Sequence, residues 1–132
     1  MNGLRRTLYL QAAVWALVGA SLAVAPHLVL VTVFRQPALN EPAWIRLLGV
    51  HAVTMAMLMV LVAHRIEDLW WWSWAFALVT VGITSVAVLN AAFGLSPGQP
   101  ALFWWLFSAV AVVSSLGLLA GLYLSSQENP LP

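Results

Sequence analysis

Four apolar runs, at positions 8–25, 43–63, 70–93 and 101–124, take up most of this chain, and almost every charged residue falls in the gaps between them. Each run is close to or above the roughly 18 to 20 residues a helix needs to cross a hydrocarbon core of about 30 Å. Inside lipid there is no water to satisfy backbone N–H and C=O groups, so a spanning segment of this kind must close its own hydrogen bonds as a helix. The sequence therefore predicts an all-α integral membrane protein: a four-helix up-down bundle with a short interfacial segment after the first helix. Residues 1–132 read as a single transmembrane domain, with no repeat or linker dividing them.

Composition narrows the functional classes. Hydrophobic residues make up 63% of the chain and charged residues 7%, far below the quarter or so of charged residues in a soluble domain. Five Arg, no Lys and four acids leave a formal charge of +1, too little basic surface for nucleic acid. The chain has no Cys, so thiolate catalysis, disulfide exchange, iron–sulfur ligation and Cys-based zinc sites are excluded. His, carboxylate and Tyr chemistry remain.

Arg5 and Arg6 followed by an apolar run ending Ala23, Val24, Ala25 imitate a secretory signal. The run exceeds the 7 to 15 residues of a usual signal core, Pro26 would follow the cut, and three further spans continue the pattern, so it reads as a retained first helix. Its small residues Ala12, Ala16, Gly19, Ala20 and Ala23 form one stripe suited to close helix packing. Pro26 can end the helix, and 27–34 is too short to cross again, which predicts an interfacial turn or short helix. Arg35, Pro37, Asn40 and Pro42 then form an exit loop. Arg65, Glu67 and Asp68 make a charged turn between spans two and three. Gly94, Ser96, Pro97, Gly98 and Pro100 form the loop before span four, and the polar tail 125–132 is expected to fray.

Arg placement indicates orientation, since cytoplasmic loops are enriched in Lys and Arg. Arg5, Arg6 and Arg65 share one side and Arg35 and Arg46 the other, which places both termini in the cytoplasm of a plasma membrane, the bacterial inner membrane being the expected one. Seven of the eight Trp residues fall in two bands: Trp44, Trp104 and Trp105 at one end, and Trp70, Trp71, Trp72 and Trp74 at the other. Indole settles at headgroup depth, so these are expected interfacial anchors. Trp15 is the exception, lying mid-span.

An ionisable residue inside a span is a candidate site by default. Arg46 lies about three residues into span two and His51 about eight. Antiparallel span three brings Asn90 to the depth of Arg46, and Thr84 and Ser85 to that of His51. Arg46 and His51 are about 140° apart around the helix, with Thr54 between them. One reading is a ligand-binding cavity in which Arg46 grips an anionic group and His51 exchanges a proton. The other is that Arg46 snorkels to lipid phosphate while His51 hydrogen-bonds a neighbouring helix.

Of His27, His51 and His64, only His27 and His51 approach a matched depth, so no metal site is expected and no cofactor is predicted. The alternatives left open are a bis-His haem held by His27 and His51, a chlorophyll pigment or a haem shared with another subunit on a single His, and a quinone contact. Ser114, Gly117 and Gly121 share a face and read, with Ala16, Gly19 and Ala23, as helix-packing positions. Gln11 is placed for an interhelical hydrogen bond. No metalloprotease helix, nucleophile elbow or phosphate-binding Gly loop is present, and every carboxylate lies outside the spans, which weighs against proton-coupled transport.

The element Trp44, Ile45, Arg46, Leu47, Leu48, Gly49, preceded by the stretch from Pro26 to Phe34, resembles small bacterial DoxX-like four-helix membrane proteins. That resemblance implies the fold, and, because some relatives are linked to quinone-coupled oxidation, a quinone-adjacent role. The residues themselves favour a non-catalytic accessory or structural subunit in the bilayer, packed against a larger membrane complex or a second copy. The alternative is a small membrane enzyme or binding protein for a lipidic or quinone-like ligand near Arg46, His51 and Asn90.

Overall fold

The computed structural model describes residues 1–38 and 40–128. The described residues are helical over most of their length: α1 (Asn2–Val24), a π-helical segment (Leu28–Val33), α2 (Ala43–His64), the single turn α3 (Ile66–Leu69), a 3-10 turn (Trp70–Trp72), α4 (Ser73–Leu89) running into a second π-helical segment (Asn90–Gly94), and α5 (Leu102–Glu128). Four helical stretches, Asn2–Val24, Ala43–His64, Ile66–Gly94 and Leu102–Glu128, are long and apolar enough to cross a membrane. The 22 residues of α2 alone reach about 33 Å. The chain is a multi-pass membrane protein with an all-α four-helix bundle.

Large apolar side chains cover the outside, among them Leu10, Leu17, Leu47, Met57, Leu78, Val86, Val113 and Leu116. In water such a surface would aggregate; in lipid it is the solvated face. The buried cluster is concentrated at the end carrying the termini, where Leu4, Leu8, Ala12, Met59, Val62, Ala63, Ile66, Phe76, Ala77, Leu118 and Leu122 bring all the long helices together.

Packing order follows from small residues. α1 lies mainly against α2, α5 contacts both α1 and α4, and α2 touches α4 only sparsely. The α1–α2 seam is backbone on backbone: a Cβ added at Gly49 would fall 2.5 Å from the Ala23 nitrogen and 2.6 Å from the Gly19 carbonyl oxygen. Only glycine permits that approach. Across the α1–α5 seam, a Cβ at Gly121 would meet the Leu4 Cα at 3.1 Å, and one at Gly117 the Thr7 methyl at 3.1 Å. Ala16 and Ser114 are half-buried on α1 and α5. In the loop-side half, buried Ala87, Ala91, Ser108 and Ala111 line α4 and α5.

Two helix ends differ from the sequence expectation. α1 starts at Asn2, six residues before the expected span, because Leu4 is buried in the core cluster and packs against Gly121 of α5, while Arg5 reaches Glu67 at 3.4 Å. Residues 125–128 continue α5 where fraying was expected: buried Ser125 donates to the Leu122 carbonyl at 3.0 Å, and the Glu128 carboxylate pairs with the amino terminus at 2.8 Å. Positions 129–132 of that tail, and Leu39 in the exit loop, lie outside the described residues.

Candidate functional site

The residues proposed to line a pocket are distributed over two different surfaces. Arg46, His51 and Thr54 all lie on the exposed side of α2, next to Leu47, Leu48, Val50 and Leu58. The opposite side of the same helix, carrying Gly49, Ala56 and Met59, is the buried one. The cause is the Gly19–Gly49 approach: with Gly49 held against α1, residues on the far arc of α2 must point away from the bundle. Thr54 Oγ1 donates to its own helix at the Val50 carbonyl, 3.0 Å away. Among the described residues, Arg46 and His51 make no side-chain hydrogen bond or ion pair.

α4 sends its polar groups elsewhere. Thr84 is half-buried, donates to the Thr80 carbonyl at 2.7 Å and accepts a hydrogen bond from Ser115 Oγ on α5 at 2.8 Å. Ser85 is exposed and donates to the Val81 carbonyl at 2.9 Å. Asn90 is half-buried where the α-helix passes into the π-helical segment, and its side chain folds over Gly94, the space a Cβ at that glycine would need. Because α1 rather than α4 is the neighbour of α2, the structure does not bring Arg46 and His51 together with Thr84, Ser85 and Asn90. Equal depth on antiparallel helices was the sequence signal, and depth carries no information on lateral order.

Gln11 makes the interhelical hydrogen bond expected of it: Nε2 donates to Thr80 Oγ1 at 2.6 Å, and the Thr80 hydroxyl donates in turn to the Phe76 carbonyl at 2.7 Å. With Thr84 and Ser115 this makes a buried polar seam joining α1, α4 and α5 at mid-bundle. The remaining acceptor, Gln11 Oε1, is buried without a partner among the described residues.

The loop end is tied together by Gln36 and Gln99, which no sequence motif marks. Buried Gln36 donates through Nε2 to the Pro100 carbonyl at 3.1 Å and the Phe34 carbonyl at 3.3 Å, while Gln99 Nε2 donates to Gln36 Oε1 at 3.1 Å. Gln99 Oε1 accepts the Ser96 N–H at 3.3 Å. These bonds lock the two long loops to each other. Beneath them Phe34 meets Phe103 edge-on at 5.0 Å, which pins the π-helical segment to the start of α5. Two glutamines 63 positions apart in the chain leave no local pattern to read; their placement in proline-bearing loops was the only available sign.

Trp residues occupy both ends. Trp44 is exposed and donates to Glu41 at 3.1 Å; Trp105 is exposed, and Trp104 is half-buried beside Phe103 and Phe107. At the other end Trp70 packs onto the core, while Trp71, Trp72 and Trp74 are exposed. Trp15 is half-buried against the core cluster. His27, His51 and His64 are all exposed, and among the described residues no three His or carboxylate side chains converge as a metal site would require. No protein-family profile matches the chain, and no curated protein or solved structure is significantly similar to it.

Proposed function

We propose that this protein is a non-catalytic accessory or structural subunit that binds a larger membrane-protein complex through the outward face of α2. The observation that carries this reading is the exposure of Arg46, His51 and Thr54 on one transmembrane helix. Arg46 lies three residues from the start of α2 and can reach headgroup phosphate by snorkelling. His51 cannot do the same so easily, since eight residues along the helix is about 12 Å, most of the way to the centre of the bilayer. A neutral imidazole carries one donor and one acceptor, and hydrocarbon satisfies neither, at several kcal/mol for each group left bare. A partner helix offering a hydroxyl, amide or carboxylate at that depth removes the penalty. Intramembrane polar groups on a helix face serve as the contacts by which helices associate.

The same reading places the protein in a plasma membrane, the bacterial inner membrane being the expected one, with both termini cytoplasmic, supported by Arg5, Arg6 and Arg65 at the end that carries the termini. The DoxX-like layout, with its short segment between the first two spans and its Arg46-x-x-Gly49 element, agrees with a small membrane subunit.

The test is a photoreactive amino acid placed at Thr54 and, separately, at Leu78, which is 71% exposed on α4. Irradiation of intact membranes should join position 54 to one membrane protein in stoichiometric yield, and position 78 to lipid. Equal lipid capture at both positions refutes the subunit reading. A single quinone or lipid species captured only at position 54 replaces it with the ligand-binding alternative.

A further inference from the structure

The loop end of the bundle holds a cleft of about 340 Å³ between the two long loops, lined by Arg35, Gln36, Pro37, Ser96, Gly98, Gln99 and the neighbouring prolines 97 and 100. The cleft is shallow and open to the surface, with Arg35, Ser96 and Gly98 exposed along it. Among the described residues, Arg35 is the only formally charged one in the lining, and no carboxylate lines it. Among the described residues its guanidinium forms no ion pair and no hydrogen bond, whereas Arg5 and Arg65 are both paired. Glu41, the acid nearest in sequence, accepts the indole N–H of Trp44.

The cleft is built before anything enters it. The Gln99-to-Gln36 hydrogen bond and the Gln36 bond to Pro100 fix the two walls to each other, and three prolines stiffen them. Two further donors are left free: neither the Ser96 hydroxyl nor the Gly98 N–H is bonded among the described residues, although the Ser96 and Gln99 N–H groups both are. Gly98 stands at φ 82 and Arg35 at φ 52, the one non-glycine residue with positive φ among those described. An arginine is rarely held in that conformation, and residues so held cluster at ligand sites.

We propose that this cleft binds a phosphate group, carried either by an anionic lipid headgroup or by a soluble phosphate. Arg35 supplies charge-assisted donors of the fork geometry that phosphate oxygens accept, and the Ser96 hydroxyl and Gly98 N–H supply uncharged ones. The cleft lies between the loops that lead into α2 and α5, whose first turns carry Trp44, Trp104 and Trp105, so a phospholipid of the adjacent leaflet and a soluble phosphate both have access to it.

The experiment uses the full chain in detergent with two probes. Native mass spectrometry compares retention of phosphatidylglycerol and phosphatidylcholine, and phosphorus NMR line broadening reports inorganic phosphate. The informative variant is Arg35→Gly, which removes the charge and at the same time suits the positive φ, so its thermal stability should equal or exceed that of the parent. Arg35→Lys keeps the charge. Phosphatidylglycerol retained about tenfold over phosphatidylcholine, lost in Arg35→Gly and largely kept in Arg35→Lys, supports a lipid headgroup as the source. Phosphate broadening that Arg35→Gly abolishes, with no lipid preference, supports the anion site with a soluble source. Binding of neither probe, or binding that Arg35→Gly leaves unchanged, overturns the proposal.

Discussion

Replacing Gly49 with alanine adds one methyl group to the α1–α2 seam, and the structure gives it no room. The new carbon would lie 2.5 Å from the Ala23 nitrogen, 2.6 Å from the Gly19 carbonyl oxygen and 3.0 Å from the Ala23 Cα, against ordinary carbon contacts of about 3.5 to 4.0 Å. All three neighbours are backbone atoms, so no side chain can turn aside and the helices must separate by about 1 Å. Overpacking of this kind typically costs about 1–3 kcal/mol. Gly82→Ala is the matched control, since nothing lies within 4 Å of a Cβ at that position. Both variants share the helix-propensity gain of roughly 1 kcal/mol, so their difference isolates the steric effect. Reversible unfolding by dodecyl sulfate in mixed micelles, followed by tryptophan emission and far-UV circular dichroism, should place Gly49→Ala about 1–3 kcal/mol below Gly82→Ala. Gly19→Ala should resemble Gly49→Ala, and the double variant should lose less than the sum because the two glycines share one contact. Stabilities of Gly49→Ala and Gly82→Ala that agree within about 0.5 kcal/mol would refute the backbone approach.

Thr80→Val should destabilise the bundle by about 1–3 kcal/mol in the same unfolding assay, because it strands the buried Gln11 amide. Gln11→Leu should cost less than about 1 kcal/mol, since it also removes the unpaired Oε1 and Thr80 keeps its bond to Phe76; the reverse order would contradict the seam. Gln36→Ala removes the loop latch and should speed amide hydrogen exchange across residues 95–101 while leaving the core helices unchanged. Glu128→Gln breaks only an exposed ion pair with the amino terminus, so unfolding should shift by less than about 1 kcal/mol and the shift should vanish in high salt.

The fold could be read from the chain because lipid imposes a simple rule: four apolar stretches of sufficient length must each become a helix. The ends of the helices were harder. Arg5 and Arg6 look like a flank, yet they are helical because Leu4 and Leu8 on the same turns are buried in the core, and buried Leu122 and Ser125 carry α5 onward at the same end. At the candidate site, axial depth was legible from residue counting, while lateral order was not. The small-residue stripe on α1 announced a close seam but did not name its partner, and choosing Gly49 as that partner is what turns Arg46, His51 and Thr54 outward. Thr84 and Asn90 lie on the α4 stretch, which packs mainly against α5 and touches α2 only sparsely. The Gln99-to-Gln36 hydrogen bond left no periodic trace, since loops are ordered by individual hydrogen bonds and not by repeating burial.

The outward polar face of α2 is tested most directly by native mass spectrometry of the protein released gently from its own membranes, with the parent chain and a His51→Leu, Thr54→Val variant run side by side. The account predicts a stoichiometric assembly with a different membrane protein for the parent, and the same chain released alone, still folded, for the variant. A parent chain that emerges only by itself or with copies of itself would contradict it.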